Sequence, residues 1–279
     1  MAGVSPEGSA SRYNDDCQGR LVFVTRSDPP SRLPSMPDTS SSSIDVLSAN
    51  LAAVQQRIDQ AAARSGRDGK QVSLVGVCKY IGTPLTRLLV EAGCDRLGEN
   101  RPQQIWKKAD QLVETGAEWH LIGHLQRNKV RRTLPWISML HSGDSLRLLG
   151  AVNEEASRHS HCQPVLLEVN VSGDENKHGF APDEMAAVLE QVSELEFLNV
   201  RGLMTMASRA GGQQQARRDF SSLRQLRDQL RGNCPENIKL DDLSMGMSGD
   251  FEVAVEEGAT LVRVGSALFE GMDLEGHQA

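Results

Sequence analysis

From Ile44 onward, short apolar runs alternate with helical stretches, and this alternation constrains the fold more than any other feature. An amphipathic helix over 44–65 comes first, followed by eight candidate strands with helical stretches between them. The strands are residues 72–79, 94–99, 118–123, 136–141, 164–171, 198–205, 238–245 and 260–265. Eight β/α units after one helix predict an α/β fold, a single (β/α)8 TIM barrel, for which 279 residues are ample. A doubly wound open sheet is the alternative.

Residues 1–43 differ from the rest because they are rich in serine and proline and contain almost no apolar clusters. We expect a disordered leader over 1–43 and a single barrel domain over 44–279. Met36 would also serve as a start, and the sequence does not decide between the two starts.

Composition argues against several classes of function. The formal net charge of −7 disfavours a general nucleic-acid binder, which needs a basic face. No apolar run is long enough to span a bilayer. The five cysteines are scattered and form no CxxC pair, which suits a reducing cytosol, so we expect a cytoplasmic protein.

Lys79 ends the first predicted strand, at the end of the barrel where the active sites of such folds lie. Strand alternation places it on the inward face with Val75 and Val77, whereas Cys78 faces the helices. A lysine in a barrel mouth is costly unless its ammonium is paired or its pKa is lowered, and a free amine is the nucleophile for a Schiff base. The alternative is an ordinary lysine that reaches solvent.

Gly/Ser turns follow the last two predicted strands, at 246–249 and 265–266. Ser248 is a candidate N-cap, and free backbone N–H groups after strands seven and eight of a barrel commonly bind phosphate. Arg263 has the inward phase of Leu261 and could bond a ligand ring nitrogen or an anion, or else form an ion pair with Glu168. A Schiff-base lysine and a phosphate site on one barrel suggest pyridoxal 5'-phosphate (PLP) as cofactor.

The same residues carry a family resemblance. Over about 45–272, the chain resembles the PLP homeostasis proteins, small barrels related to the N-terminal domain of alanine racemase. The matching segments are VGVCK (75–79), LGEN (97–100), EWHLIGHLQRNK (118–129), EVNVSGDENKHG (168–179), RGLMTM (201–206), LSMGMSGDFEVAVEEGAT (243–260) and VRVGSALFEG (262–271). The resemblance implies that Lys79 forms the Schiff base and that Arg263 faces the pyridine nitrogen. It further implies that Met247, Ser248, Gly265 and Ser266 hold the phosphate and that Asn100 and Met204 line the pocket.

Other polar residues have weaker interpretations. His120 and His124 stand four apart on a strand and its loop, so we expect no metal site from them. The basic run RNKVRR (127–132) is expected to be a solvated helix face, with RNA contact as the minor alternative. Glu168 and Asn170 point inward on the fifth strand and either line the pocket or fill the barrel.

Two functions compete: a PLP carrier or buffer with no turnover and no catalytic residues, and a PLP-dependent amino-acid racemase. Racemisation needs a base on each face of the substrate Cα. In alanine racemase the second base is a tyrosine on a separate C-terminal domain, whereas this sequence ends 14 residues after Gly265 and its tyrosines are Tyr13 and Tyr80. We therefore expect a monomeric carrier whose partners are PLP and PLP-dependent client enzymes, with no nucleic acid and no membrane. A barrel for another phosphorylated ligand is a third possibility.

Overall fold

The computed structural model describes residues 14–15, 21–22, 39–174, 177–208 and 210–274. Eight parallel strands form a closed barrel, which confirms the predicted fold and excludes the open sheet. The strands are β1 (Ser73–Val77), β2 (Arg96–Glu99), β3 (Glu118–Leu121), β4 (Met139–Gly143), β5 (Gln163–Glu168), β6 (Leu198–Met204), β7 (Asp242–Ser244) and β8 (Leu261–Val264). They follow one another around the barrel in chain order, and β8 pairs with β1 to close it.

Helices cover the outside of the barrel. They are α1 (Thr39–Arg64), α2 (Thr83–Glu91), α3 (Pro102–Gln111), α4 (Val130–Thr133), α5 (Leu146–Arg158), α6 (Met185–Ser193), α7 (Gly212–Arg231) and α8 (Phe251–Glu256). Pro84 and Pro102 lie in the first turns of α2 and α3, where a missing N–H costs nothing. None of the helices in the described ranges combines the length and apolar character that crossing a bilayer demands.

Helix α1 packs along the barrel against α2, α8 and the short 3-10 turn Ser266–Phe269. Leu47, Val54 and Ile58 of its apolar stripe are fully buried, as the sequence pattern predicts. The helix begins at Thr39, five residues before the expected boundary at Ile44. Apart from these residues and a short antiparallel pair, Asn14–Asp15 with Leu21–Val22, the predicted leader over 1–43 lies outside the described residues.

The core has two layers, as a barrel requires. A small inner cluster of Val75, Leu166, Met204 and Leu261 fills the barrel, and a large outer layer lies between the strands and the helices. The predicted inward phases of β1, β5 and β8 are therefore confirmed. Strand β1 is shorter than predicted, however: it ends at Val77, so Lys79 lies in the turn that follows.

Candidate functional site

The predicted site residues come together at one end of the barrel, the mouth formed by the C-terminal ends of the strands. They follow or end five consecutive strands, β6, β7, β8, β1 and β2. The register pairs Arg263 with Val75 and Val264 with Gly76, which places Gly265 beside Val77, just before Lys79. The last-strand turn and the candidate lysine are thus neighbours in space although they are far apart in sequence.

Lys79 is partly buried, and its ammonium Nζ lies 4.9 Å from the centre of the Tyr80 ring. Among the described residues it has no hydrogen-bond acceptor, and its one contact there is with the aromatic face of Tyr80. A continuing strand would turn Tyr80 away from Lys79. Because β1 stops at Val77, the turn instead brings the two side chains together, with Tyr80 71% exposed.

The turn after β7 is built differently from the helix cap that the sequence suggests. Ser248 is not an N-cap: α8 begins at Phe251, and the Ser248 hydroxyl instead accepts a hydrogen bond from the backbone N–H of Gly265, at 3.0 Å. The N–H of Met247 donates to Oδ1 of Asp250, at 2.6 Å. The two turns are thus bonded to each other, and one of their N–H groups already binds an anionic oxygen.

Glycine at position 246 is required by this geometry, whereas Gly249 is not. Gly246 has a φ of +91°, and a Cβ there would lie 2.5 Å from the Cβ of Ala254. No atom lies within 4 Å of a Cβ built on Gly249, so the close backbone approach expected at this residue is not found. The Met247 side chain and Ser266 are exposed at the mouth.

Arg263 is buried inside the barrel, only 2% exposed. Its guanidinium donates to the Ser244 hydroxyl at 2.5 Å and to the Thr205 carbonyl at 2.9 Å. Burial lowers its pKa to about 10, although the charges of Glu168 and Asp250 oppose this. No carboxylate of the described residues lies within ion-pairing distance, so the predicted alternative, a Glu168 ion pair, is not formed.

Glu168 ends β5 and faces the same mouth, only 5% exposed. Burial, with a contribution from Asp144, raises the pKa of its carboxyl to about 7, while Arg263 and His124 act in the opposite direction. Asn170 lies in the loop beyond, where its amide donates to the Asp174 carbonyl at 2.8 Å. The inward direction predicted for Glu168 is confirmed, and Asn170 belongs to the loop.

A buried chain of hydrogen bonds leads from Arg263 through the barrel. Nδ1 of His141 lies 2.9 Å from the Ser244 hydroxyl, and Nε2 of His141 lies 2.8 Å from Nδ1 of His120. Because arginine can only donate, Ser244 accepts from Arg263. Nδ1 of His141 is the one acceptor within reach of the Ser244 O–H among the described residues, so this hydroxyl donates to His141. His141 then carries its proton on Nε2 and donates to His120.

His120 and His141, the two histidines joined by these hydrogen bonds, are neutral. Burial lowers the pKa of His120 to about 3 and that of His141 well below its ordinary value. From the sequence, His120 was weighed only as a metal ligand, and His141 and Ser244 were not predicted as site residues. No local signal marks these residues, because Ser244 lies 103 positions from His141 in the chain.

The remaining predicted residues lie at the two ends of the five-strand arc. Met204 ends β6 and is buried in the inner cluster, below the mouth. Asn100 follows β2, is exposed, and lines a cleft of about 450 Å³ with residues that include His124, Gln126 and Lys129. His124 therefore faces the mouth, away from His120 inside the barrel.

A buried ion pair supports the segment that holds Lys79. Lys108 of α3 contacts Glu99 at the end of β2 and also donates to the Cys78 carbonyl at 2.8 Å. Both side chains are almost completely buried, and burial raises the pKa of Glu99. This pair, which binds α3 to the residue directly before Lys79, was not predicted from the sequence.

The basic run 127–132 forms a 3-10 turn, Arg127–Lys129, and the start of α4. Arg127, Arg131 and Arg132 are exposed, as a solvated face predicts, and the Arg132 guanidinium stacks 4.1 Å from the centre of the Trp106 ring.

Comparison with known proteins places this arrangement in a family. The profile of the alanine racemase N-terminal domain matches residues 49–273. The pyridoxal phosphate homeostasis protein of Aquifex aeolicus is 40% identical over 219 residues, which cover 78% of this chain and 95% of the relative. The protein of the same description from Bos taurus is 38% identical, covering 80% of this chain and 86% of the relative.

Solved structures agree with these sequence matches. PipY of Synechococcus elongatus PCC7942, solved with PLP bound, superposes with a TM-score of 0.70 at 31% identity and covers 80% of this chain and 99% of its own. An alanine racemase of Clostridium difficile 630 has a TM-score of 0.63 at 16% identity and covers 84% of this chain and 58% of its own, a likeness that shows the fold alone. By sequence and by fold, the chain belongs to the pyridoxal phosphate homeostasis protein family, within the alanine racemase N-terminal domain group.

Proposed function

We propose that this protein binds PLP at the barrel mouth and acts in the cytoplasm as a carrier or buffer of the cofactor in vitamin B6 homeostasis, with no turnover of its own. The observation that carries the proposal is the buried Arg263, which has no carboxylate of the described residues at ion-pairing distance and donates its hydrogen bonds only to neutral acceptors. A buried cation without a direct ion pair is costly, and a ligand that supplies an acceptor or an anionic oxygen would offset that cost.

Arg263 suits the ring nitrogen of PLP. A guanidinium has five N–H donors and no acceptor, and two of the donors are used by Ser244 and Thr205. A remaining donor pointing to the mouth would meet the lone pair of an unprotonated pyridine nitrogen. The chain through Ser244 and His141 holds the guanidinium in place for this contact.

The two turns after β7 and β8 suit the phosphate. Met247 N–H donates to the Asp250 carboxylate, and we propose that a phosphate oxygen replaces this acceptor when PLP binds. Gly265 N–H is bonded to the Ser248 hydroxyl, which can also turn to donate to a ligand. We propose that Met247, Ser248, Gly265 and Ser266 bind the phosphate, with Asn100 and Met204 at the pocket wall.

Lys79 is the proposed point of covalent attachment, because PLP supplies an aldehyde that condenses with a primary amine and releases water. Two other lysines near the mouth are less available. Lys108 is buried in its ion pair, and Nζ of Lys177 donates to the Ser172 hydroxyl and to the Met206 carbonyl. Lys79 contacts only the Tyr80 ring among the described residues.

Attachment is tested by mass spectrometry. The wild-type chain and the variants Lys79→Ala and Lys177→Ala are incubated with PLP, reduced with borohydride and digested. We expect the reduced adduct on Lys79 in the wild type and in Lys177→Ala, and no adduct in Lys79→Ala. An adduct that maps to Lys177 or Lys129 in the wild type would refute the assignment.

Two features favour a carrier over a racemase. An arginine that donates to the ring nitrogen leaves that nitrogen unprotonated. The neutral pyridine ring is a weaker electron sink than a pyridinium and stabilises a substrate carbanion less. Tyr80, the tyrosine within the described part of the chain, contacts Lys79 itself and so does not stand opposite it, as a second base would have to.

Turnover is tested by incubating the PLP-loaded protein with single L-amino acids in deuterium oxide and following the Cα proton. We expect no exchange at an ordinary enzymatic rate, on the order of 1 s⁻¹ or faster. Exchange at such a rate would establish the racemase instead.

We further propose that the protein acts as a monomer and hands PLP to client apoenzymes. Light scattering of the PLP-loaded protein tests whether it is a monomer.

A further inference from the structure

We propose that His124, Asp144 and His178 form a binding site for a divalent metal ion of the zinc type at the barrel mouth. The three residues, here called the histidine cluster, follow β3, β4 and β5. That side lies across the barrel from the turns after β7 and β8. The inference uses none of the residues assigned to PLP and does not depend on that assignment.

One carboxylate oxygen is the centre of the histidine cluster. Oδ2 of Asp144 lies 2.6 Å from Nδ1 of His124 and 3.9 Å from Nδ1 of His178. The two imidazole rings stack, with centres 4.5 Å apart and planes inclined by 14°. Each residue offers a ligand atom, and all three atoms lie within 4.8 Å of one another.

These spacings are close to those of a zinc site. Ligands at 2.0–2.1 Å around a tetrahedral ion lie about 3.3 Å from one another. The His124–Asp144 pair, at 2.6 Å, must therefore open by about 0.7 Å, and the His178–Asp144 pair, at 3.9 Å, must close by about 0.6 Å. The exposed rings can make this adjustment, since the side chains of His124 and His178 are 44% and 63% exposed. Asp144 stays fixed, because its side chain is only 5% exposed and its other oxygen accepts from the Ser145 hydroxyl at 3.1 Å.

The backbone beside each histidine is anchored at the mouth. A Cβ on Gly123 would lie 2.3 Å from the Asn100 carbonyl oxygen, so the chain entering His124 lies directly against the end of β2. Gly179 has a φ of +109° and a similarly close approach to the Glu168 carbonyl, which bonds the Phe180 N–H at 2.8 Å. Both histidines therefore extend from fixed points, with only their side chains free to adjust.

The donor set indicates the kind of ion. Two imidazole nitrogens and one carboxylate oxygen suit zinc and its neighbours, whereas calcium and magnesium prefer oxygen ligands alone. Three protein ligands leave a fourth position for water or a ligand oxygen. Room for it exists, because His124 also lines the 450 Å³ cleft with Asn100 and Lys129.

Metal titration tests the site. Protein without an affinity tag, both PLP-free and PLP-loaded, is titrated with Zn²⁺ in a calorimeter and with Co²⁺ in an absorption spectrometer. We expect saturable one-to-one binding in both forms, weakened at least about tenfold by Asp144→Asn or His178→Gln. The matched control is His159→Gln, since Nε2 of His159, at the C-terminal end of α5, lies 3.3 Å from Oε1 of Glu155 in a comparable pair of an exposed histidine and a buried carboxylate. This variant should bind as the wild type does.

A second readout separates specific binding from loose surface association. Zn²⁺ should raise the midpoint of thermal unfolding of the wild type and of His159→Gln but not of the cluster variants, because a ligand stabilises only the state that binds it. Binding that is absent in the wild type, or unchanged in Asp144→Asn and His178→Gln, would overturn the site. Either result leaves the Lys79 adduct unaffected, so this inference and the PLP proposal fail independently.

Discussion

At the residue scale, the guanidinium of Arg263 fixes the protons of a chain of neighbours. Its N–H donates to Ser244, whose O–H has Nδ1 of His141 as its one acceptor among the described residues. Because both histidines are neutral, the direction of the next hydrogen bond, from His141 to His120, follows. We expect both His141 and His120 to carry their proton on Nε2 between pH 5 and 8 in ¹⁵N-labelled protein, and neither to titrate there. A proton on Nδ1 of His141 would contradict the proposed direction.

The hydrogen bonds from Arg263 through Ser244 and His141 to His120 should also contribute to stability and to PLP affinity. His141→Phe leaves the Ser244 hydroxyl and Nδ1 of His120 without their partner inside the barrel, which should cost roughly 1–3 kcal/mol of unfolding free energy. It should also weaken PLP binding, since Arg263 loses its support. His120→Asn retains an acceptor for the His141 N–H and serves as the milder control. Urea unfolding measures the loss of stability, and PLP titration measures the loss of affinity. If His141→Phe lost less stability and less affinity than His120→Asn, the proposed series of hydrogen bonds would be contradicted.

Ser248 tests the phosphate turns. Its hydroxyl is one of several groups that we assign to the phosphate, so Ser248→Ala should weaken PLP by only about 1–2 kcal/mol. Pyridoxal has no phosphate, and its binding should not respond to the substitution. Equal affinity of the wild type for PLP and pyridoxal would show that the phosphate site lies elsewhere.

At the scale of elements, the pair Lys108–Glu99 joins α3, β2 and the turn after β1. Lys108→Met leaves a buried carboxylate without its counter-charge and should cost about 3–5 kcal/mol of unfolding free energy. Adding Glu99→Gln removes the charge and should recover much of the loss. A double variant as unstable as the single one in chemical denaturation would show that the Cys78 carbonyl contact, and not the ion pair, dominates.

The predictable part of this molecule is the part encoded locally. Eight strands, their inward phases and the mouth position of Arg263 follow from a period of two and from turn chemistry. The cap at Ser248 was predicted wrongly because its hydroxyl meets a backbone N–H from the next strand, 17 positions away. His141, Ser244 and Lys108 escaped notice because their partners depend on the register and closure of the barrel, which no local pattern reports.

At the scale of the whole molecule, two groups of buried side chains give stability opposite responses to pH. Burial lowers the pKa values of His120 and His141 in the folded protein. Their contribution to the free energy of unfolding is therefore complete above pH 6.5, the pKa of histidine in the unfolded chain, and is lost as the pH falls below that value. Glu168 has its pKa raised from 4.5 to about 7, so its contribution is complete below pH 4.5 and is lost as the pH rises through about 7. Between these limits the two effects oppose each other.

Glu168→Gln separates these two effects in PLP-free protein. Glutamine resembles the protonated carboxyl at every pH, so the variant should match the wild type near pH 4.5 and exceed it by about 3 kcal/mol at pH 8, since each pKa unit is worth about 1.4 kcal/mol. Between pH 4.5 and 6.5 the unfolding free energy of the variant should rise with pH more steeply than that of the wild type, by about 1.4 kcal/mol per pH unit. Urea unfolding from pH 4.5 to 8 measures both curves. A difference between them that stays constant with pH would mean that folding leaves the pKa of Glu168 unshifted.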